Sequence, residues 1–576
     1  MMKRELQARL KVRGTRRPRS PVCARLLFAV LTWPFLQGSA ENPPAAAGES
    51  PIAEVAGGKL RGLQYETAVV FKGIPYARPP VGDLRWREPQ PVVTWSGVRD
   101  ATRSGSPCTQ SSAGLNGFVA PLAQAYGARY EGEPVQSSED CLYLNVWVPA
   151  WPPRNPLPVM VWLHGGANTA GSGSQSVYDG TALVSHGVVL VTINYRLGVF
   201  GFFSHPELTA ESPHKASGNY GLLDQLAALE WVHKNIGRFG GDPGNVTLFG
   251  ESAGAIDAGV LMASPLATGL FRRVISESGP VVGGASHTLA EAEAAGAAVG
   301  RAAPGHFTST LQNLRALPAA QTAEIADQVM KAHFPDIGSA VLLDGWVLPR
   351  SPQQAFVQGA IPKIDLLVGL NGRELAAFRV GGAARQPAKA DNGGARQTIG
   401  KLVGAKLPLY GGWTDVAFAW YLAKALIHRD AAIDQAGNDM FVACPLGAMA
   451  TLVHAAGQKA YLYRFDRIVP GKGAAELGAF HSLELPYVFG AFADPVWRWL
   501  PFTSADSRLS AAIQAYWTQF AKTGSPNPPG LPSWPAWNND TESFLEIGPG
   551  GDLTVQRDFS PVFCHLSPDR LRERLK

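Results

Sequence analysis

An alternation in the middle of the chain constrains the fold more than any other feature. Short β-branched runs at residues 159–163 (VMVWL), 188–193 (VVLVTI) and 246–249 (VTLF) are separated by stretches of helical pattern. Continuously apolar strands joined by helix-length connections pair in parallel, because a parallel pair needs a crossover of about a dozen residues or more. From residue 222 onward Leu222, Leu226, Leu229 and Val232 recur at steps of three and four. That stripe lies a helix on a sheet and predicts one over 222–239. The expected fold class is α/β, with a large, mostly parallel central sheet and helices on both faces.

A chain of 576 residues, 46% hydrophobic and 17% charged, can bury such a core. Its formal charge of +5 sits at one end: residues 1–25 carry nine basic side chains against Glu5 alone, so the remainder is mildly acidic. A mildly acidic body has no basic patch for nucleic acid. The basic leader runs into an apolar stretch at 26–36, too short to span a bilayer, and then Gly38-Ser39-Ala40. This reads as a secretory signal peptide cut after Ala40, with the mature protein exported to periplasm or medium. No later run of about 18 apolar residues follows, so no transmembrane anchor is expected. Beyond a Pro/Ala-rich linker there is no second break, repeat or low-complexity tract. The expected organisation is leader 1–40, linker 41–52 and one domain over 53–576.

Of five cysteines, Cys23 lies in the leader. The other four, Cys108, Cys141, Cys444 and Cys564, allow two disulfides in three connectivities if the chain is exported. Joining sequence neighbours pairs Cys108 with Cys141 and Cys444 with Cys564.

The chemistry begins at Gly250-Glu251-Ser252-Ala253-Gly254, which fits G-x-S-x-G. In a glycine-rich chain the pattern alone is weak, but here a β-branched strand precedes it and small residues of helical pattern follow. That is the context of a strand-to-helix elbow that exposes a serine hydroxyl. Serine needs a base, and the base an orienting acid. Among twelve histidines, His481 is the candidate base: it follows the strand-like run at 461–465 and lies C-terminal to the serine. Glu374, in the turn after the apolar run at 364–370, is the candidate acid, and Asp344 in the preceding Asp-Gly turn competes with it. His164-Gly165-Gly166-Ala167 follows the strand at 159–163, where such folds build an oxyanion hole, so Gly166, Ala167 and Ala253 are candidate N–H donors. Glu251 sits beside the serine, where its charge can tune the histidine. No cysteine–histidine cluster suggests a metal, and this chemistry needs no cofactor.

These residues carry a resemblance over essentially the whole mature chain. Residues 71–91 (FKGIPYARPPVGDLRWREPQP), 138–149 (SEDCLYLNVWVP), 158–167 (PVMVWLHGGA), 194–202 (NYRLGVFGF), 218–254, 480–490 (FHSLELPYVFG) and 516–527 (YWTQFAKTGSPN) resemble the type-B carboxylesterases. That branch of the α/β-hydrolases includes cholinesterases, lipases and para-nitrobenzyl esterases. The resemblance implies Ser252 as nucleophile, Glu374 as acid, His481 as base, and Gly166, Ala167 and Ala253 as oxyanion donors. It also implies the disulfides Cys108 with Cys141 and Cys444 with Cys564, and the ion pairs Arg85 with Glu139 and Arg196 with Asp224. As isolated charges those two pairs would be solvated and worth little.

Three departures stand out. The family's Asn-x-Asp-Glu-Gly turn reads Asn371-Gly372-Arg373-Glu374-Leu375, its third oxyanion glycine is Ala167, and Asn168 replaces the aromatic that follows. No tryptophan lies between Cys108 and Cys141 to grip a quaternary ammonium, which argues against choline esters. The expected activity is hydrolysis of small carboxylic esters through an acyl-enzyme. Lipase, carbamate or amide hydrolysis on the same machinery and a silent binding module are the alternatives. Residues 111–136 and 381–408 are expected to be loops that shape specificity.

Overall fold

Eleven strands form the central sheet of the computed structural model. It describes residues 50–576 apart from 133, 154, 285, 305–309, 334–340, 382–391, 407–413, 566 and 576. The predicted leader, its cut after Ala40 and nearly all of the linker lie outside the described residues. The strands of this sheet are, in chain order, β1 (Leu63–Gln64), β2 (Val69–Pro75), β3 (Tyr143–Val148), β4 (Leu157–Leu163), β5 (Val189–Ile193) and β6 (Gly241–Glu251). Then come β7 (Arg273–Glu277), β8 (Asp365–Asn371), β9 (Ala460–Phe465), β10 (Phe544–Ile547) and β11 (Leu553–Gln556). Their spatial order is β11-β10-β9-β8-β7-β6-β4-β5-β3-β2-β1. From β5 to β10 every neighbouring pair is parallel. The strands at the two edges pair antiparallel.

The central strands are buried on both faces, which is why they read as continuous apolar runs. Along β4, Val159, Val161 and Leu163 join the core on one face while Met160 and Trp162 join the core on the other. Helix α1 (Asn116–Ala125) precedes β4 in the chain, and α2 (Tyr220–Asn235) and α3 (Ala253–Ala263) flank β6. Helix α2 buries Leu222, Leu226, Leu229 and Val232 against the first core, tightens into a short 3₁₀ turn over Ile236–Phe239, and ends at Gly240 with φ +78°. Arg429–Ala455 is long and apolar enough to cross a membrane by length and composition, yet 94% of its apolar window is buried in the protein, so it is a core helix.

Both cysteine pairs are bonded. Cys108–Cys141 closes a separation of 33 residues and Cys444–Cys564 one of 120. Such loops are worth roughly 3 to 5 kcal/mol each in the chain-entropy account. Thiol labelling of the unfolded, unreduced protein lacking residues 1–40 is expected to find no free thiol; two or more would contradict the pairing. The bonds are compatible with an oxidising compartment.

Both ion pairs that the resemblance implies form. Arg196 and Asp224 are 3% and 0% exposed and joined twice, Nε to Oδ2 at 2.7 Å and Nη2 to Oδ1 at 2.8 Å. Arg85 forks onto Glu139 at 2.7 and 2.6 Å and also donates to the carbonyls of Leu314 and Leu317. Buried, fully bonded pairs of this kind cost about 3–5 kcal/mol when one partner is removed. Two expectations need correction: the specificity segments are not simple loops. Residues 111–136 contain α1, which buries Val119, Leu122 and Ala123 despite Pro121 within it. Of 381–408, residues 382–391 and 407–408 lie outside the described residues and Asn392–Lys406 is a helix.

Candidate active site

Ser252 stands at the turn between β6 and α3 with φ +55° and ψ −122°. A non-glycine residue there stores on the order of 1–3 kcal/mol of strain, which persists only where the surroundings dictate it. They do: the Ser252 N–H donates to the Glu277 carbonyl on β7 at 2.8 Å, and its own carbonyl accepts the first bonds of α3. Gly254 lets the elbow close, since a Cβ there would lie 2.1 Å from the Leu163 carbonyl oxygen. Among the described residues the Ser252 hydroxyl has no hydrogen-bond partner.

His481 and Glu374 meet, with Nδ1 2.5 Å from Oε2. Both are buried, at 7% and 1% exposed. Glu374 opens helix α4 (Glu374–Gly381) at the end of β8. Its other oxygen accepts the Asn371 N–H and the Ser278 hydroxyl, each at 2.6 Å, and its own N–H donates to Asn438 Oδ1 at 2.9 Å. Asn371 also donates from Nδ2 to the Phe480 carbonyl at 2.8 Å, tying the acid turn to the histidine loop. Arg373, where the family has Asp, faces away from His481: it pairs with Asp434 at 2.8 Å and donates to the Ala475 carbonyl. The altered turn therefore keeps its carboxylate on the histidine while its basic residue anchors the outer side.

The second ring nitrogen, Nε2, lies 3.1 Å from Glu251 Oε1, which also accepts the Ser482 hydroxyl at 2.6 Å. Burial alone would depress the imidazolium, but Glu251 and then Glu374 outweigh it and hold His481 up at about 9. Glu251 is itself pushed up, chiefly by burial, with His481 and Ser482 pulling it back. Two further carboxyls, Glu277 and Glu484, lie in the same buried cluster. Burial lifts Glu277 to about 8, with Trp517 Nε1 donating to it at 2.7 Å, and lifts Glu484 well above the carboxylate range. The aromatic rings of Phe118 on α1 and Phe378 on α4 flank the imidazole, centroids 6.3 and 5.0 Å away.

Opposite this cluster, at the end of β4, Gly166 and Ala167 adopt φ of +109° and +55°. Among the described residues, the N–H groups of Gly166, Ala167 and Ala253 have no hydrogen-bond partner. N–H groups left free in this way, one of them on the residue after Ser252, are what a developing oxyanion requires. The competing acid lies elsewhere. Asp344 Oδ1 accepts the N–H groups of Trp346 and Leu348, at 3.0 and 2.9 Å, and the residue lines a different cavity of about 230 Å³ beside Trp86 and Trp346.

Ser278, Asn438, Ser482, Glu277 and Glu484 were not legible as site residues. Only Ser482 had a signal, its place next to His481; Ser278 and Asn438 reach Glu374 from β7's end and from a helix over Arg429–Asn438.

The Carboxylesterase family model matches residues 49–564. Curated relatives include the fumonisin B1 esterase of Sphingopyxis macrogoltabida, 35% identical over 92% of this chain and 93% of that one. The para-nitrobenzyl esterase of Bacillus subtilis is 36% identical over 87% and 95%. Among solved structures, a PNB esterase superposes with a TM-score of 0.72 at 34% identity, covering 92% of this chain and 99% of that one. The carboxylesterase of Geobacillus stearothermophilus does so with 0.74 at 32%, covering 91% and 100%. With its sheet, elbow and relatives in agreement, the chain belongs to the carboxylesterase family, has the α/β-hydrolase fold and is a carboxylic ester hydrolase.

Proposed function

We propose that hydrolysis runs through an acyl-enzyme on Ser252. His481 takes the hydroxyl proton as Ser252 attacks the ester carbonyl, and Glu374 stabilises the imidazolium. The N–H groups of Gly166, Ala167 and Ala253 hold the oxyanion while His481 passes that proton to the departing alcohol. Water activated by the same histidine then releases the acid. The observation that carries this reading is the 2.5 Å contact between His481 and Glu374, with the other ring nitrogen 3.1 Å from Glu251, the residue before the strained, unpartnered Ser252.

In the resting arrangement His481 bridges two carboxylates, Glu374 through Nδ1 and Glu251 through Nε2. Both favour the protonated ring, whereas attack needs the neutral one. The sign follows: kcat/KM rises with pH as the imidazolium loses its proton, and removing the Glu251 charge lowers that threshold. Glu251→Gln is expected to move the acid limb of the kcat/KM profile to lower pH. A limb that stays in place or moves to higher pH would contradict the role of Glu251.

The substrates we propose are small soluble carboxylic esters, met by an exported protein of one catalytic domain over 53–576. Support comes from the disulfides and from the mixed lining of Phe118 and Phe378 beside polar groups. Initial rates on a short p-nitrophenyl ester, the matching p-nitroanilide and tributyrin across its solubility limit test this. Turnover of the dissolved esters with no jump at the limit is expected. A jump at the limit would favour the lipase reading, and faster anilide turnover the amidase reading.

A further inference from the structure

The residue after the proposed oxyanion donors is Asn168, also at φ +55°, so Ala167 and Asn168 are two consecutive left-handed non-glycine residues. Asparagine tolerates that region better than a bulky side chain does, but tolerance does not hold it there. The side chain does. Asn168 Nδ2 donates to Asp257 Oδ1 at 3.0 Å, and Gln225 Nε2 donates to Asp257 Oδ2 at 2.5 Å. The Tyr195 hydroxyl donates to the His164 carbonyl at 2.7 Å and sits 3.2 Å from Asn168 Oδ1. The Asn168 carbonyl accepts the Gly198 N–H at 2.6 Å.

Asp257 is an unusual residue to bury there. It projects from α3, five residues beyond the nucleophile, and is 3% exposed. Among the described residues it has no ion-pair partner. Burial raises its carboxyl to about 6, and only Asn168 and Gln225 pull it back. A buried carboxylate with no ion-pair partner is costly even when hydrogen-bonded, and an apolar residue of similar size would fill the space without that cost. Helix α3 also carries Ser252 at its start. A bond from Asp257 to Asn168 therefore fixes the donor loop at the end of β4 directly to the element that holds the nucleophile.

We propose that Asn168 and Asp257 are positioning residues, a buried pin that holds the left-handed loop so that the Gly166 and Ala167 N–H groups stay aimed at the oxyanion. The pair replaces the aromatic residue of related chains by a polar tether. This rests on the acyl-enzyme reading above, with Ser252 as the nucleophile whose intermediate these N–H groups receive. Its effect falls on the transition state, where the negative oxygen forms, and not on ground-state binding. Misplacing donors by about 1 Å, or losing one, costs on the order of 10²-fold.

The test uses the full chain and a short p-nitrophenyl ester, with rates divided by the concentration of Ser252 titrated to completion by a phosphonate. Asp257→Ala and Asn168→Gly, the latter keeping the backbone free to be left-handed, are expected to lower kcat by about 10- to 100-fold with KM changed less than about two-fold. Their combination should be no worse than the more damaging single change, since both remove one tether. Asp257→Asn should keep kcat within about three-fold: the Gln225 amide can turn so that its Oε1, buried without a partner, accepts from the new amide. Wild-type kcat in both Asp257→Ala and Asn168→Gly, or a change carried by KM alone, would overturn the pin. Failure of the underlying assignment shows separately, as an unsubstituted enzyme that turns over without label on Ser252.

Discussion

Ser252→Ala is expected to lower kcat on a short p-nitrophenyl ester by about 10⁴-fold or more while leaving the protein folded. The loss is large because the attacking oxygen itself is removed. The side-chain oxygens around His481 are engaged elsewhere: Glu251 Oε1 with its Nε2, Glu374 Oε2 with its Nδ1, and the Ser482 hydroxyl as a donor to Glu251. Folding should survive because the hydroxyl has no hydrogen-bond partner among the described residues; the elbow is held by the Ser252 backbone and by Gly254. An alanine keeps the same φ and ψ as the serine, with the strain already present. Kinetics with circular dichroism and a urea midpoint check both halves, and retained turnover would remove Ser252 from the mechanism.

Glu374→Gln is expected to cost about 10³- to 10⁴-fold in kcat, although the substitution changes one atom and no volume. Two donors, the Asn371 N–H and the Ser278 hydroxyl, converge on Glu374 Oε1 at 2.6 Å. They would keep the glutamine oxygen on their side and turn its NH₂ toward His481 Nδ1. A donor facing Nδ1 forces the ring to accept there and to carry its proton on Nε2, the nitrogen that takes the serine proton in the proposed mechanism. The tautomer is then wrong for catalysis even with the geometry intact. Asp344→Asn should leave kcat within a few-fold, because Asp344 caps a turn beside a different cavity. The reverse ranking, measured per folded molecule, would move the acid assignment to Asp344.

How much of this was legible from the residues depended on where each interaction was encoded. The central strands could be read because burial on both faces makes them continuous apolar runs, as in β4 and β5. The antiparallel edges could not, since short strands such as β1 and β11 carry too few residues for a period. Ser252, Gly166, Ala167 and Ala253 sit within local motifs at strand ends, so sequence places them. His481 and Glu374 needed the chain order expected of the fold, 107 residues apart yet in contact. The groups that orient Glu374 left no local trace: Ser278 lies 96 residues before it and Asn438 64 after. The helix α1 was hidden by Pro121 and by its place in a segment rich in turn residues. The pairing of Arg196 with Asp224 came with the resemblance, but its burial could not be read from charge alone, since the two come from a strand-end loop and from α2 and meet only in the fold.

The measurement that tests the central claim most directly is mass spectrometry of the full chain after reaction with a serine-directed phosphonate, with the loss of esterase activity followed in parallel. The account predicts one adduct per chain, carried by the peptide that contains Ser252, with activity falling in step with labelling. Full inactivation with the adduct on another residue, or esterase activity that persists once Ser252 is fully modified, would contradict it.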